Sequence, residues 1–405
     1  MLDPTLEAEG LGPSPFSQAL DADWAARLGE IEAGVRGASV LVVGAAGTIG
    51  AATVRQLLPL GPARLELIDL DENGLARLAR DIRSRGAAGR QTQLGFNALD
   101  FAGWPGLAFV SANGPFDLVL NFAAVKHVRS EKNLHTLLHM IGVNVVAQQR
   151  FAAHLARQRL ARRHFVVSTD KAADPASFMG ATKLLLEAVA FAEGEAPGAP
   201  RTTAARFANV AYSSGSLLES YVQRFAAGQA LAAPRDTRRY FISARDAARI
   251  CLIGEAALPG GRVAIPRFDP ASGTVELADT AAAFLAARGR RAVFVDTPEA
   301  AAALEPGSGE DYPVLLTPRD TAGEKEVEVF QGAGETVADA GLDALSALAP
   351  APVDPQRLAG ALAELKALVS GERTAAGPGD LEAAIAAVLP GFRHIAGGAR
   401  LDDRI

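Results

Sequence analysis

The strongest structural signal in this chain is the stretch Ser39-Val-Leu-Val-Val-Gly-Ala-Ala-Gly-Thr-Ile-Gly50. An apolar segment, as in a buried strand, runs into Gly44, Gly47 and Gly50, and an apolar-periodic helix follows over residues 51–58. Glycines permit a tight turn and let backbone N–H groups approach a pyrophosphate, which the helix N-terminus also favours. The stretch therefore predicts a strand–turn–helix unit that binds a dinucleotide, with the spacing G-x-x-G-x-x-G rather than the commoner G-x-G-x-x-G.

Acidic residues after the next two strands support this interpretation. A glycine-rich turn by itself also occurs in purely structural units. Asp69, however, closes the second strand and is placed to accept hydrogen bonds from the adenosine ribose. A carboxylate there repels a 2′-phosphate, so NAD is predicted in preference to NADP. Asp100, after the third strand, is a candidate adenine contact.

Strand, loop and helix alternate along the chain from residue 38. We predict strands at Ser39–Val43, Leu65–Ile68, Gln91–Phe96, Leu118–Phe122, Phe165–Ser168 and Thr203–Phe207. This alternation is typical of the α/β class with a doubly wound parallel Rossmann sheet. Further strands near Val263 and at Ala292–Val295 suggest a smaller α/β substrate lobe, and alanine-rich helices are predicted over residues 335–392.

These patterns predict four parts of the chain. They are an N-terminal helical extension (1–36), a Rossmann domain (37–208), a substrate lobe partly interleaved with it (209–334) and a helical C-terminal region (335–405). A hydrophobic content of 49% with 21% charged residues fits a globular protein of several such parts.

Composition and charge exclude several classes of function. A net charge of −6 argues against nucleic-acid binding. The single cysteine, Cys251, excludes a disulfide framework and a thiolate metal site, and predicts a reducing compartment. The N-terminus has no basic segment followed by an apolar one, and no apolar stretch approaches twenty residues. We therefore expect a cytoplasmic protein without a membrane, nucleic-acid or metal partner.

A second signal lies between Phe165 and Lys183. Thr169, Asp170 and Lys171 follow a buried strand, and ligands bind beyond such strand ends in open parallel sheets. Lys183 lies on the next helix, four residues after Met179 and on the same face. An acid, a base and a second lysine are thus predicted to lie in one pocket, which indicates catalysis. Asp-Lys neighbours also occur as solvated surface pairs, but this position favours the catalytic interpretation.

The chain resembles an extended short-chain dehydrogenase/reductase and, more narrowly, the nucleotide-sugar 4,6-dehydratases of bacterial polysaccharide and flagellin glycosylation. The resemblance covers roughly residues 36–330. The narrower motifs are Val125-Lys-His-Val128, Ser168-Thr-Asp-Lys171, Met179-Gly-Ala-Thr-Lys183, Arg206-Phe-Ala-Asn-Val210, Ser213-Ser-Gly-Ser216 and Arg239-Tyr-Phe241. Gly323-Glu-Lys325 also fits, although Thr321-Ala322 stands where the family has Arg-Pro.

One departure concerns the proton shuttle of the superfamily, which uses Tyr-x-x-x-Lys. Position 179 is methionine here, and a thioether cannot shuttle a proton. None of the four tyrosines has a lysine four residues later. A subgroup of the sugar dehydratases carries this same methionine and keeps Thr-Asp-Lys, and the chain resembles a soluble version of it. Plain core packing of Met179 is an equally open interpretation.

The resemblance implies an internal redox reaction that yields a 4-keto-6-deoxy sugar. Hydride leaves C4, water is lost across C5 and C6, and the hydride returns to C6. Lys171 is expected to be the neutral base at C5 and Asp170 the protonated acid at the C6 hydroxyl. Thr169 orients the sugar, while Lys183 binds the nicotinamide ribose and, beside Met179, helps to deprotonate O4.

The resemblance also implies contacts to cofactor and substrate. Cofactor contacts are expected from Gly44, Gly47, Thr48, Ile49, Gly50, Asp69, Asp100, Ala123, Ala124, Lys126, Asn144 and Lys183. Substrate contacts are expected from Lys126, His127, Asn209, Ser214, Ser216, Arg239 and Glu324. Four of these are ambiguous. Arg238 competes with Arg239, Asn144 fits a buried hydrogen-bonding role, and Lys126 and His127 fit a solvated loop pair.

The leading interpretation is a configuration-retaining 4,6-dehydratase of UDP-N-acetylglucosamine. Two alternatives stay open: a nucleotide-sugar 4-epimerase, which needs no base at C5, and a non-catalytic NAD-binding regulator. The resemblance further implies a homodimer or larger homo-oligomer, formed through helices within residues 136–160 and 177–193.

Overall fold

A nine-stranded sheet organises the computed structural model, which describes residues 14–85, 91–126, 131, 133–268, 273–304, 309–318 and 328–394. The strands are β1 Ser39–Val43, β2 Arg64–Asp69, β3 Gln93–Ala98, β4 Phe116–Asn121, β5 Ala161–Val167, β6 Arg201–Ala205, β7 Asn209–Val210, β8 Leu231–Pro234, β9 Arg238–Ile242, β10 Arg262–Pro266, β11 Thr274–Glu276, β12 Arg291–Val295, β13 Asp311–Thr317, β14 Thr336–Asp339 and β15 Leu345–Ala349. The predicted residues His127 and Glu324 lie outside the described part of the chain.

Helices connect most of these strands. They are α1 Pro15–Val35, α2 Thr48–Leu57, α3 Glu72–Ser84, α4 Trp104–Asn113, α5 Leu134–Ile141, α6 Gln148–Arg157, α7 Phe178–Gly194, α8 Leu217–Ala226, α9 Ala244–Ala257, α10 Leu277–Ala286, α11 Pro298–Ala303, α12 Pro355–Ser370 and α13 Pro378–Ala386. A π-helical turn, Gly142–Ala147, joins α5 to α6, and a 3-10 turn, Asp170–Ala172, follows β5. None of the helices that the structure describes combines the length and apolar character needed to cross a membrane.

The order of the main sheet is β14-β15-β10-β6-β5-β4-β1-β2-β3. The seven neighbouring strands β10-β6-β5-β4-β1-β2-β3 run parallel. At the other edge, β15 pairs antiparallel with β10, and β14 pairs antiparallel with β15. The chain crosses from β3 to β4 between the two halves, which places a ligand crevice beyond the ends of β1 and β4. The predicted doubly wound Rossmann sheet is confirmed.

Both faces of the sheet are covered, because successive side chains of a strand point in opposite directions. Val40 and Val42 of β1 join the core beneath α1, α2 and α9. Leu41 and Val43 join the other core, with Phe151 and Leu155 of α6. Because this central parallel strand is covered on both faces, four successive residues of it are apolar and buried.

A smaller α/β lobe is built on two three-stranded sheets, ordered β11-β9-β7 and β12-β13-β8. Aromatic side chains of α8, α10 and β13 form its core, among them Tyr221, Phe284 and Tyr312. This lobe agrees with the predicted fold class. The four domain boundaries themselves stay predictions.

Two parts of the prediction are wrong. The strand near Val263 belongs to the main sheet as β10 and not to the smaller lobe, because it pairs with β6. Residues 335–392 are not helical throughout, since β14 and β15 precede α12. The sequence Leu345-Ser-Ala-Leu-Ala349 favours a helix locally, but pairing with β10 buries its first four residues and overrides that propensity.

The C-terminal helices cover the helical face that was expected to form a dimer. Residues of α12 and α13, including Leu365, Leu368 and Ile385, share one apolar cluster with Leu137 of α5 and Leu185 of α7. This face is therefore packed by the same chain. The oligomeric state stays a prediction, and a dimer through this face requires a different arrangement of the C-terminal helices.

Candidate active site

The glycine loop between β1 and α2 depends on the absence of side chains at two positions. Gly44 has a φ of +73°, and a Cβ there would lie 2.8 Å from the backbone nitrogen of Ala123. A Cβ on Gly50 would lie 2.1 Å from the carbonyl oxygen of Gly44. The backbone N–H groups of residues 44–47 are bonded within the protein, but Gly47 is the N-cap of α2 and has no side chain, so no side chain caps the first N–H groups of this helix. This cradle fits the pyrophosphate of a dinucleotide.

Of the two acidic residues that follow β2 and β3, Asp69 contacts the glycine loop. Asp69 accepts hydrogen bonds from the backbone nitrogens of Ala46 and Asp71, each at 2.9 Å. It is half-buried, so its oxygens can also accept from a ribose. Asp100 is exposed and accepts from the nitrogen of Ala102 at 3.1 Å. The structure brings Asp69 to the glycine loop, and its contact with the adenosine ribose stays a prediction.

Three buried side-chain amides shape the loop that follows β4. Asn121 accepts from the nitrogen of Ala123 at 3.0 Å and donates to Gln148 at 2.8 Å, while Gln148 donates to the carbonyl of Ala123 at 2.8 Å. Asn144 accepts from the nitrogen of Val125 and donates to its carbonyl, both at 2.8 Å.

Asn144 has an exposed fraction of 0% and also donates to Thr182 of α7 at 3.1 Å. It lies in the π-helical turn, a feature that often occurs at functional sites. Its amide is thus used within the protein, and we assign it the role of positioning the loop against α7. Direct contact of Asn144 with a cofactor stays a prediction.

The residues after β5 form a compact hydrogen-bonded group. Asp170 is 5% exposed and accepts from the Thr169 hydroxyl at 2.7 Å. Lys171 donates to the two carboxylate oxygens of Asp170 at 3.2 and 3.3 Å, and its own side chain is 35% exposed. The start of α7 packs on this turn. Acid and amine therefore form one pair at the carboxyl end of a central strand.

Lys183 points back at the same strand end. Its Nζ donates to the carbonyl of Val167, the last residue of β5, at 2.6 Å. Burial lowers the pKa of Lys183 to about 8, while the nearby Glu187 carboxylate opposes that shift. A buried amine with this pKa can exchange a proton near neutral pH.

Met179 packs inside the molecule. It is buried in the cluster shared by α5, α7 and the C-terminal helices. Its backbone nitrogen donates to Glu131 at 2.9 Å, and the other oxygen of Glu131 contacts His394 at 3.0 Å. The packing interpretation of Met179 thus has direct support. Glu131, which sequence reasoning missed, fixes the start of α7.

The structure distinguishes the two adjacent arginines of β9. Arg238 is exposed and is held by Thr274 and Glu276. The Arg239 side chain is buried and lies 3.6 Å, Nε to Oε1, from Glu328. Asn209 donates to the same Oε1 at 2.9 Å. Asn209 and Arg239 are therefore brought together, and only Arg239 faces the interior.

The two predicted serines lie beside the glycine loop. The nitrogen of Ser214 donates to the hydroxyl of Thr48 at 3.3 Å. Ser216 caps α8 by accepting from the nitrogen of Glu219 at 3.2 Å. Burial lowers the pKa of the Lys126 ammonium, and the charge of Glu219 in α8 opposes this shift. The structure thus brings Ser214 to the glycine loop, while the binding roles of the two serines and Lys126 stay predictions.

A fully buried charge network lies behind this crevice. Arg206 donates to both oxygens of Glu187 at 2.8 and 2.7 Å and to both oxygens of Glu335 at 2.7 Å. The carbonyl of Phe330 accepts a further bond at 3.0 Å. Sequence reasoning missed these carboxylates, although Glu187 stands four residues after Lys183 and therefore on its face. In the described parts of the chain, no three His, Cys, Asp or Glu side chains cluster as a metal site.

Solved structures with the same fold include the X-ray structure of Pen from Bacillus thuringiensis. The two chains are 20% identical and superpose with a TM-score of 0.61. The match covers 78% of this chain and 89% of the Pen chain. The UDP-glucose 4-epimerase of Thermotoga maritima is 14% identical, covers 73% of this chain and 90% of its own length, and has a TM-score of 0.54. At these identities the similarity shows the fold alone.

Curated relatives match part of the chain. The capsular polysaccharide biosynthesis protein CapD of Staphylococcus aureus is 27% identical over 56% of this chain and 37% of its own length. An inverting UDP-N-acetylglucosamine 4,6-dehydratase of Campylobacter jejuni is 28% identical over 37% of this chain and 46% of its own length. The chain thus spans less than half the length of these two relatives.

One family model spans most of the Rossmann sheet and the smaller lobe. It is described as polysaccharide biosynthesis protein and matches residues 40–308, more than half of the chain. The match includes the glycine loop, the Thr169–Lys171 group and Arg239. The resemblance drawn from the sequence is confirmed: this chain belongs to the polysaccharide biosynthesis protein family.

Proposed function

We propose that this protein is an NAD-dependent nucleotide-sugar 4,6-dehydratase that acts on UDP-N-acetylglucosamine. One observation carries the proposal: Asp170 and Lys171 form a pair at the end of β5, and the low-pKa Lys183 is bonded to that same strand end. An epimerase has no use for an acid–base pair of this kind.

NAD is the cofactor that this proposal requires. The glycine loop and Asp69 fit its pyrophosphate and adenosine ribose. Bound there, NAD supplies an acceptor and donor of hydride. The chain's own residues must then bind the sugar and move protons.

The Asp170–Lys171 contact provides both groups of the elimination. Moving one proton across the 3.2 Å contact converts the ion pair into a neutral amine and a neutral acid. Lys171 then takes the proton from C5, and Asp170 gives its proton to the C6 hydroxyl, which leaves as water. After this elimination the amine is protonated and the carboxylate is ionised. The addition of hydride to C6 requires a proton at C5, which Lys171 would return, and the proton released from the C4 hydroxyl would then re-form the Lys171 ammonium, so the cycle balances without an external proton.

Two further groups act at the C4 hydroxyl of the sugar, one by hydrogen bonding and one by proton transfer. The Thr169 hydroxyl donates to Asp170, so its lone pairs remain free to accept from the sugar. With a pKa of about 8, roughly one Lys183 in ten is neutral at pH 7. Lys183 therefore takes over, through a water, the proton transfer that tyrosine performs elsewhere in the superfamily.

The nucleotide end of the substrate is assigned to the smaller lobe. Arg239 supplies a fixed charge for the diphosphate, with Asn209 beside it. Ser214 and Ser216 lie at the glycine loop and at the start of α8, where phosphate or ribose oxygens can be bound.

Retention at C5 is part of the proposal and rests on Met179, which the sequence shares with retaining members of the group. The Campylobacter jejuni relative is named as inverting, and it matches only 37% of this chain. A cytoplasmic location is proposed from the single cysteine, and a homo-oligomer from the family resemblance.

The proposal is tested by incubating the protein with NAD and UDP-N-acetylglucosamine and measuring the product by mass spectrometry. Loss of one water is the expected result. An isomer of unchanged mass identifies an epimerase, and untouched substrate in the presence of bound NAD contradicts the proposal. NMR coupling constants of the hexose ring then distinguish retention from inversion at C5.

A further inference from the structure

A carboxylate that no motif predicted lies among the substrate residues. Glu328 Oε1 accepts from Asn209 at 2.9 Å and lies 3.6 Å from Arg239 Nε. Its charge also acts on Asp170 and Lys171, since both contribute to its electrostatic environment. Glu328 therefore contacts the residues assigned to the diphosphate and interacts electrostatically with the catalytic pair.

This carboxylate is poorly satisfied for a buried group. Its side chain is 5% exposed, and its Oε2 has no hydrogen-bond partner among the residues that the structure describes. Burial raises the pKa of Glu328, although Arg239 opposes the shift. An ionised carboxylate that leaves an oxygen unbonded in a buried place is a costly arrangement, which a better ligand for the same cation can replace.

The chain after Glu328 is anchored independently of this contact. The carbonyl of Phe330 and the carboxylate of Glu335 bind Arg206, and the nitrogen of Ala333 donates to Asp174 at 2.7 Å. The segment 328–335 therefore stays attached when Glu328 alone changes its contacts.

We propose that Glu328 is an internal competitor for the substrate diphosphate: it holds Arg239 and Asn209 in the free protein and releases them when a nucleoside diphosphate binds. This inference rests on the proposed function, because that function assigns the diphosphate to Arg239. Two anionic groups at one buried arginine repel each other strongly, so the incoming diphosphate and the Glu328 carboxylate exclude each other.

Binding of UDP to the full-length protein with saturating NAD, measured by calorimetry, tests the inference. Glu328→Gln keeps the shape and removes the competing charge, so UDP binding becomes about tenfold tighter. Glu328→Asp keeps the charge and binds UDP within about threefold of the wild type. Glu276→Gln is the matched control, because it removes a carboxylate from the neighbouring, exposed Arg238 and leaves UDP affinity unchanged.

Unchanged or weaker UDP binding by Glu328→Gln, with a melting temperature equal to that of the wild type, overturns the inference. Weaker binding would show that Glu328 positions Arg239 for the diphosphate instead of competing with it. Turnover of UDP-N-acetylglucosamine by the wild type is measured separately, so the proposed function survives that result. If neither protein binds UDP, GDP, CDP or dTDP, the inference and the assignment of Arg239 fail together.

Discussion

The cofactor cradle and the catalytic group lie in one crevice and are built in opposite ways. At the glycine loop, the backbone itself forms the site, and two residues matter because they have no side chain, Gly44 and Gly50. Beyond β5, charged side chains form the site. Asp170 pairs with its neighbour Lys171, whereas Arg206 and Arg239 contact carboxylates from distant parts of the chain, Glu335 and Glu328. The backbone cradle is formed mainly by residues 39–50, whereas the charge network exists only after the whole fold has assembled.

The largest expected effect is a loss of activity that leaves cofactor binding intact, which distinguishes the catalytic group from the cofactor cradle. Asp170→Asn removes the acid and Lys171→Ala the base, and each lowers the rate of dehydration by about a thousandfold or more. NAD affinity is unchanged because the glycine loop is untouched. Product formation and NAD binding are measured on the same preparations. Turnover retained by both variants refutes the assignment of the pair.

The second effect tests the charge network through stability. Arg206→Met leaves Glu187 and Glu335 buried without their cation, which lowers the free energy of unfolding by about 3–5 kcal/mol. Arg36→Met removes an exposed pair with Glu32 and changes it by less than about 0.5 kcal/mol. Urea unfolding gives both values. Equal effects of the two variants would show that the network contributes no more than a surface pair.

The third effect tests the cradle. Gly50→Ala places a methyl group against the Gly44 carbonyl, which destabilises the protein by about 2–3 kcal/mol and abolishes NAD binding. Gly29→Ala is the control, because a Cβ at that position of α1 meets open space and a helix interior favours alanine. Normal NAD affinity in Gly50→Ala contradicts the backbone cradle.

The smallest effect is a pH dependence. Burial lowers the pKa of Lys183 to about 8 in the folded protein, against 10.5 ordinarily. Between these values the unfolded chain binds more protons, so stability rises with pH across that window, by about 2 kcal/mol between pH 8 and 9.5. Lys183→Met lacks this rise, so the difference between the two proteins isolates Lys183. Parallel stability curves for wild type and variant would rule out a lowered pKa.

Local signals were sufficient for one half of the site. The apolar run into spaced glycines at residues 39–50, and Asp69 at the end of the next strand, predicted the strand, the turn and the carboxylate that the structure shows. Thr169, Asp170 and Lys171 were also predictable, since a strand end in a parallel sheet is a general ligand position.

Contacts between distant segments were not predictable in the same way. The carboxylate of Glu328 reaches Asn209 across 119 residues, and Glu335 reaches Arg206 across 129. β15 was predicted as helix because alanine favours a helix locally, yet a partner strand decides its conformation. The sequence left two interpretations of Met179 open, a place in the catalytic site and plain core packing. The helices α12 and α13, which share its apolar cluster, lie about 200 residues away.

The order of residues along the chain was enough to specify the parallel sheet, the glycine turn and the acid–base pair, because each depends on neighbours within one strand–loop–helix unit. Only the three-dimensional packing established that Glu328 faces Arg239 and that Glu187 and Glu335 share Arg206. It also established that the C-terminal helices cover the face of α5 and α7. Buried ions must find partners wherever the fold brings them, and no local pattern encodes that meeting.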